Sequence, residues 1–518
     1  MPPPLLTTPR VTVIGAGIGG LVAALELAVH GFDVTLVERA ATPGGKIRQT
    51  SVGGAELDAG PTVFTMRWVF EEIFAAAGTS LNQHLDLRPA HILARHAWSD
   101  RDRLDLFADT NQSADAIGRF AGPDEARGYL AFCERAASIY RTLERSFIRA
   151  PQPTPVSLVR HAGLGGLGGL WGIAPFFSLW GELGRYFKDP RLHQLFGRYA
   201  TYCGSSPFQA PATLMLIAHV EQEGVWLVEG GMHRIPVAIA ALAQARGATL
   251  RYETEATGIL VDAGRVNGVR LAGGEILRCD AVIVNADAAA IADGLLGDLA
   301  AGALPLPSGS SRSLSAVTWA LSAPTDGFPL LRHNVFFSGN YQAEFDDIFR
   351  RGDLPSEPTV YVCAQDRDDR GLAPHGAPER LFCLVNAPAN GDFRPFTQTE
   401  IEQCTERSFA LLQRCGLHVR RTPEATVVTT PAVFNELYPA TGGALYGQAT
   451  HGWKASFSRP AARTGLQGLY LAGGSVHPGA GVPMAALSGR MAAACLLADH
   501  ASTSRFVQVA MPGGMSMR

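Results

Sequence analysis

Three glycines, Gly15, Gly17 and Gly20, stand at the spacing of a dinucleotide-binding turn. Their chemistry would be to bring backbone amides against a pyrophosphate. The first allows a tight turn, the second a close approach, and the third helix-on-strand packing. Ala16 lies between the first two, and Glu38 follows 23 residues after Gly15. That is close to the ~20 residues at which a carboxylate reaches the ribose hydroxyls. A second glycine-rich loop lies at the far end of the chain: Gly473-Gly474-Ser475-Val476-His477-Pro478-Gly479-Ala480-Gly481-Val482-Pro483. Its histidine, His477, has two readings, a base that accepts a proton or a side chain that orders the loop.

Elements of a recognisable kind must position these residues. The apolar run 11–14 predicts a strand, and a helical pattern opens directly behind Gly17. His30-Gly31 closes that helix, with glycine as its left-handed cap, and 32–37 predicts a second strand ending in Glu38. The helix starts with unpaired amides and the positive end of its dipole aimed at the phosphates. The far loop has the same build, with a strand over 469–472 and a small-residue helix over 484–499. Pro483 occupies the position of a first-turn proline. Two further glycine loops, at Thr42-Pro43-Gly44-Gly45-Lys46 and Asp58-Ala59-Gly60-Pro61-Thr62, follow the first unit. They read as further backbone approach to a ligand or as surface turns.

Between the ends, helices are expected over 69–77, 125–143, 236–246 and 400–414. Strands are expected over 249–252, 257–261, 266–271, 281–284, 335–338, 359–364 and 381–385. The fully apolar 281–284 has the character of a buried parallel strand. Residues 162–181 carry no charge, hold seven glycines and a central Pro175, and include Trp171, Phe176, Phe177 and Trp180. Length alone permits a membrane span, but glycine and proline oppose a stable helix. The stretch reads as an interfacial segment dipping into one leaflet, with an apolar core or cavity lid as the alternative.

At 518 residues the chain exceeds one core, and 47% hydrophobic against 18% charged residues suggests an apolar cavity or a membrane-facing surface. A net charge of −3 leaves no electrostatic footprint for nucleic acid. Eight scattered cysteines, with no CxxC pair, read as buried thiols of a reducing compartment, and no metal site is expected. The first ten residues lack the apolar core of a secretory signal, which points to the cytoplasm.

Two helix N-termini behind glycine loops need a ligand large enough to meet both. A pyrophosphate uses one. A reduced flavin, with negative charge near N1 and O2, suits the other better than a neutral nicotinamide does. The sequence argument therefore prefers FAD to NAD.

Across nearly its whole length the chain resembles the bacterial-type phytoene desaturases, FAD-dependent carotenoid desaturases of the amine-oxidase superfamily. The resemblance rests on 11–21, Glu38-Arg39, Pro43-Gly44-Gly45-Lys46, Asp58 to Thr62, Gly224-Val225-Trp226 with Gly230-Gly231-Met232, and 468–489. It implies that Gly15, Ala16, Gly17 and Gly20 cradle the pyrophosphate and that Glu38 holds the adenosine ribose. Arg39, Gly45 and Lys46 would line the cofactor, with Gly60, Pro61 and Thr62 near the isoalloxazine. Gly473, Gly474, Gly481, Val482 and Pro483 would complete the FAD site. Ala256 stands where the family has a valine that touches adenine through its backbone. Where phytoene desaturases read Ala-Gly-Thr-His-Pro-Gly, this chain has Gly474-Ser475-Val476-His477. Its Val482-Pro483-Met484-Ala485-Ala486-Leu487-Ser488-Gly489 is more similar to the 1-hydroxycarotenoid 3,4-desaturases of spheroidene and spirilloxanthin synthesis in phototrophic purple bacteria.

The resemblance implies an α/β fold (α+β overall). A Rossmann-like FAD-binding domain would be assembled from 1–85, 222–300 and 441–518. A substrate domain from 86–221 and 301–440 would carry a β-sheet and a helical, membrane-facing part. The substrate would be a lipophilic carotenoid. The protein would sit peripherally on the inner or intracytoplasmic membrane; the sequence does not identify the terminal electron acceptor, and oxygen and a quinone both stay open. Alternatives on the same scaffold are a phytoene desaturase, an amine or protoporphyrinogen oxidase, and a prenyl-chain carrier that need not keep the flavin machinery.

Overall fold

A computed structural model describes residues 8–154, 177–304, 311–371 and 378–509. Five parallel strands form the sheet at the cofactor end, in the order Leu469–Leu471, Ala281–Val284, Arg10–Ile14, Asp33–Val37, Thr249–Arg251. Val11 pairs with both Ala281 and Val34, which puts Arg10–Ile14 at the centre. Ala281–Val284 is buried throughout, as a strand covered on both faces must be. The strand order reverses on either side of Arg10–Ile14. In such sheets ligands bind beyond the carboxyl ends of the strands at this point.

The opening helix, Ile18–Val29, and the closing helix, Val482–Val509, pack against each other on one face of that sheet. Small residues make the approach close: Gly489 sits directly over the Gly19 carbonyl. Arg490 fastens the same contact, reaching Glu26 at 2.8 Å and Glu72 at 2.7 Å. Over Val482–Ser502 the closing helix is long and apolar enough to cross a membrane, yet 61% of its most apolar window is buried inside the protein. Its hydrophobicity serves the core.

A mixed seven-stranded sheet forms the second body. Its order is Thr426–Thr429, Ser315–Ala323, Glu379–Ala387, Val360–Ala364, His333–Phe336, Ile92–Ala97, Arg103–Phe107. Helix Gln398–Arg414 covers it, started by a capping box in which Thr397 and Glu400 satisfy each other's backbone amides. A helical layer around Pro123–Leu143 and Pro190–Gly197 packs through the aromatic cluster of Tyr129, Phe132, Phe187, Phe196 and Tyr199.

The strands of the first sheet lie within 1–85, 222–300 and 441–518, and those of the second within 86–221 and 301–440. Two elements cross that division. Strand Leu87–Pro89 pairs with Trp226–Val228. The hairpin Gln49–Val52/Ala55–Asp58 packs on the second sheet, although it precedes residue 85. Gln365 explains why: its side chain makes a two-way bond to the Asp58 backbone, donating to the carbonyl at 2.7 Å and accepting the amide at 3.0 Å.

Most of the uncharged stretch 162–181 lies outside the described residues, which resume at 177. Phe177 is 61% exposed, whereas Leu179 and Leu183 in helix Leu179–Leu183 are buried. Trp180 packs against Phe208 with ring centroids 4.6 Å apart. The last residues of the stretch therefore belong to the core. All eight cysteines are free thiols, seven of them buried.

Candidate cofactor and substrate site

Both glycine loops open on one cavity of about 990 Å³, which lies between the two sheets. Ligand sites commonly span ~300–1,000 Å³, and this one stands at the upper end. Gly15, Gly17, Glu38, Arg39, Gly45, Lys46, Gly60, Pro61, Thr62 and Ala256 line it from the N-terminal side of the site. Gly473, Gly474, Gly481, Val482 and Pro483 line it from the other end of the chain.

Ala16 and Gly20 do not line the cavity; they shape the turn behind it. The Ala16 amide donates to Glu38 Oε2 at 2.6 Å, while Oε1 accepts from the Ala40 amide at 2.8 Å. A Cβ on Gly20 would stand 2.1 Å from the Gly15 carbonyl oxygen, which enforces helix-on-strand packing at that position. The loop at 42–46 is not a free surface turn. Gly44 is buried, and its amide donates to the Ala16 carbonyl at 2.8 Å, stacking one glycine loop on the other. The loop at 58–62 is likewise anchored, because Asp58 Oδ2 accepts the Met232 amide at 2.6 Å. That bond gives Gly230-Gly231-Met232 its place in the site: a Cβ on Gly231 would lie 2.3 Å from the Asp58 carboxylate.

The residues present fit a flavin dinucleotide. The opening helix has no side-chain cap at Gly17 and no acid in its first turn. Its first amides are thus left for an anion, with the dipole in its favour. The closing helix also lacks an acid in its first turn, behind Gly481. Lys46 supplies a cation: its Nζ donates to the Leu445 carbonyl at 2.7 Å and lies 5.2 Å from the centre of the Tyr438 ring. Burial pulls its pKa down; Asp287 opposes that and Arg459 adds to it.

His477 does not face the cavity. Its Nε2 lies 2.8 Å from the Ala150 carbonyl and 3.1 Å from that of Phe147, two acceptors that require the proton on Nε2. The Phe147 ring, which lines the cavity, meets the imidazole edge-on at 5.0 Å. Burial lowers the His477 pKa to about 4, and the two carbonyl bonds only partly offset it. Of the two readings of this residue, the geometry carries the one in which it orders the loop; the base reading is corrected.

Two residues of the site were not singled out by the sequence. Asn285, directly after the buried strand Ala281–Val284, is where the glycine loops meet. A Cβ on Gly17 would lie 2.6 Å from its Nδ2, and one on Gly473 3.0 Å from its Oδ1. A polar residue closing an all-apolar strand next to the switch point was the available hint. Arg459 is buried and knits the far loop, donating to the carbonyls of Tyr446, Gly474 and Gln448 at 2.9–3.0 Å. It comes from an irregular stretch and has no motif.

Beyond the cofactor loops the cavity becomes apolar, walled by Leu143, Ile217, Val220, Phe382, Leu384 and Phe457. Among the described residues, no group of three His, Cys, Asp or Glu side chains is placed to hold a metal.

The flavin-containing amine oxidoreductase family model matches residues 18–497, and the chain belongs to that family. Its cofactor is FAD and it is an oxidoreductase. A hydroxyneurosporene desaturase of Rubrivivax gelatinosus is 58% identical over 514 residues, spanning 99% of this chain and 98% of that protein. Its counterpart in Cereibacter sphaeroides is 44% identical over 500 residues, 96% of this chain and 99% of the relative. A phytoene desaturase of Neurospora crassa is 29% identical, over 94% of this chain and 84% of that protein. Among solved structures, an oxidoreductase from Methanosarcina mazei shares the fold with a TM-score of 0.59 at 16% identity, covering 93% of this chain and 99% of that one. Putrescine oxidase does so with 0.57 at 15%, covering 95% and 99%.

Proposed function

We propose that this protein introduces a C–C double bond into a carotenoid, by 3,4-desaturation of 1-hydroxyneurosporene or its methoxy derivative. The observation that carries this reading is the 58% identity to a hydroxyneurosporene desaturase across 99% of the chain. The phytoene desaturase, at 29%, supports the other desaturase reading far less. An apolar chamber that opens from the FAD site is what a polyene substrate needs.

Desaturation removes a hydride and a proton from neighbouring carbons. FAD supplies the two-electron acceptor for the hydride. The cation left on the substrate is delocalised over the polyene, and its adjacent C–H becomes acidic enough for a weak base or water. The protein's tasks are then to position the chain and to keep bulk water out. The apolar walls do the second. For the first, Thr62 Oγ1 and Tyr361 hydroxyl are bonded at 2.6 Å, and Tyr361 hydroxyl and His333 Nδ1 at 2.7 Å. This relay fixes the cofactor loop to the second sheet and sets the width between them.

The test is to incubate purified, FAD-loaded protein with membranes and either 1-hydroxyneurosporene or phytoene, and to follow the absorption spectrum. The hydroxylated substrate should gain conjugation. Conversion of phytoene alone would refute the subtype, and conversion of neither would refute the desaturase reading. The substrate dissolves only in lipid, which supports peripheral attachment to the cytoplasmic face of the membrane through 162–181. Deleting that stretch should release the protein from liposomes in a flotation assay, and unchanged flotation would refute the assignment.

A further inference from the structure

One part of the apolar chamber is polar. Arg198, Tyr202, Glu221 and Tyr341 line it, contributed by Arg198–Cys203, helix Leu216–Gln222 and helix Tyr341–Asp346. Glu221 accepts from the Tyr199 hydroxyl at 2.7 Å and from the Tyr202 hydroxyl at 2.8 Å, and Arg198 Nη1 donates to the Tyr202 oxygen at 2.7 Å. Burial works against the Arg198 charge, but Tyr202, Glu221 and Tyr199 around it keep its pKa above the usual value.

The cluster is incomplete in an informative way. Arg198 Nε and the Tyr341 hydroxyl are buried and have no hydrogen-bond partner, although the residues are only 7% and 4% exposed. His333 Nε2 is also buried and unpartnered, and this ring lies within electrostatic reach of Arg198. Buried polar atoms without partners are rare, and each asks for a reason.

The chemistry of the missing partner is constrained. Glu221 already balances Arg198, which leaves no net charge to attract an anion, and an ammonium would meet Arg198 head-on. A neutral hydroxyl fits, since it accepts from Arg198 Nε–H and either accepts from or donates to Tyr341. Position agrees as well. In 3,4-desaturation of a 1-hydroxycarotenoid, the oxygen-bearing carbon is two bonds from the reacting pair, so its recognition site must adjoin the flavin. The cluster connects to that place through His333, Tyr361 and Thr62 of the cofactor loop.

We propose that Arg198 and Tyr341 bind the tertiary hydroxyl of the carotenoid end group and thereby select hydroxylated over hydrocarbon substrates. The assignment rests on the desaturase reading above. It is tested with the full-length, FAD-loaded protein in detergent micelles, the flavin kept reduced to prevent turnover. Dissociation constants for 1-hydroxyneurosporene and neurosporene are read from the quench of tryptophan fluorescence. The wild type should favour the hydroxylated compound tenfold or more, because a site built around a hydroxyl penalises the analogue lacking it. Tyr341→Phe and Arg198→Lys should each reduce that preference at least fivefold. Equal affinities in the wild type would overturn the proposal, and so would variants that weaken both ligands in parallel. If a variant does not retain FAD, the wild-type comparison decides alone. Binding of neither carotenoid would overturn the desaturase reading and this proposal with it, whereas tight but equal binding overturns only the proposal.

Discussion

Replacing Gly489, which does not itself line the cavity, by alanine should weaken FAD binding. The added Cβ would lie 2.2 Å from the Gly19 carbonyl oxygen and 3.1 Å from its Cα. Carbon–oxygen contacts settle at roughly 3.3–3.6 Å, so the opening and closing helices would have to part by about 1 Å. Both sides of the contact are backbone, and no side chain can swing away to absorb the strain. Overpacking of this kind costs about 1–3 kcal/mol. The two helices carry the two glycine loops on their N-termini, and parting them misplaces the amides that must converge on one cofactor. If about 2 kcal/mol of the strain falls on the FAD-bound state, affinity drops roughly thirtyfold. The assay is titration of apoprotein with FAD, followed by flavin fluorescence, with far-UV circular dichroism as the check on folding. Gly273→Ala, at a position with nothing within 4 Å of the new Cβ, serves as the control. Wild-type FAD affinity in Gly489→Ala would refute the view that this helix contact sets the cofactor site.

Other expectations follow from the same geometry. Asp58→Ala would leave the buried Met232 amide without its acceptor, a loss of about 1–3 kcal/mol, and should lower the urea midpoint and FAD retention together. An unchanged midpoint would mean the 58–62 loop is held elsewhere. Burial holds His477 and His451 at a pKa of about 4 and His333 at about 3, below the ordinary value of 6.5. Such depressed groups contribute their full stability above about pH 6.5 and lose it as pH falls toward 4. The melting temperature of the holoprotein should fall over that window, and less steeply in His477→Gln; an identical slope would contradict the assignment. Glu344 works in the opposite direction, since burial raises its pKa to about 7. Its contribution is complete below pH 4.5 and lost as pH rises through 7, so Glu344→Gln should flatten the alkaline side of the same curve.

The cofactor half of the site was readable in sequence because its loops are shaped by close backbone approach, which leaves glycines at fixed spacing within short stretches. Gly15 to Glu38 and Gly473 to Pro483 are both of this kind. The second sheet was only partly readable. The runs 359–364 and 381–385 announced the strands Val360–Ala364 and Glu379–Ala387, but Ile92–Ala97 contains Arg95 and His96 in its middle. Those polar residues break the pattern, and their partners come from other segments: Asp105 at 2.7 Å and the Pro329 carbonyl for Arg95, and the Leu104 carbonyl, 3.2 Å from Nδ1, for His96. Pairing in space compensates for what looks unfavourable along the chain.

The same distinction separates cofactor from substrate. Arg198, Glu221, Tyr341 and Tyr361 come from separate segments that the fold brings to one cavity, and Asn285 and Arg459 likewise reach it from distant stretches. No spacing rule links them. Side chains gathered from distant segments can also change one at a time, while a glycine loop under backbone contact cannot. That asymmetry lets a scaffold keep its flavin site and exchange its chemistry. A 4,4'-diapolycopene oxygenase of Methylomonas, 29% identical over 95% of this chain, is named for a different reaction from the desaturases at 58% and 44%. What distinguishes such relatives should therefore lie in the chamber walls around Arg198 and Tyr341 and not in the loops that first identify the cofactor.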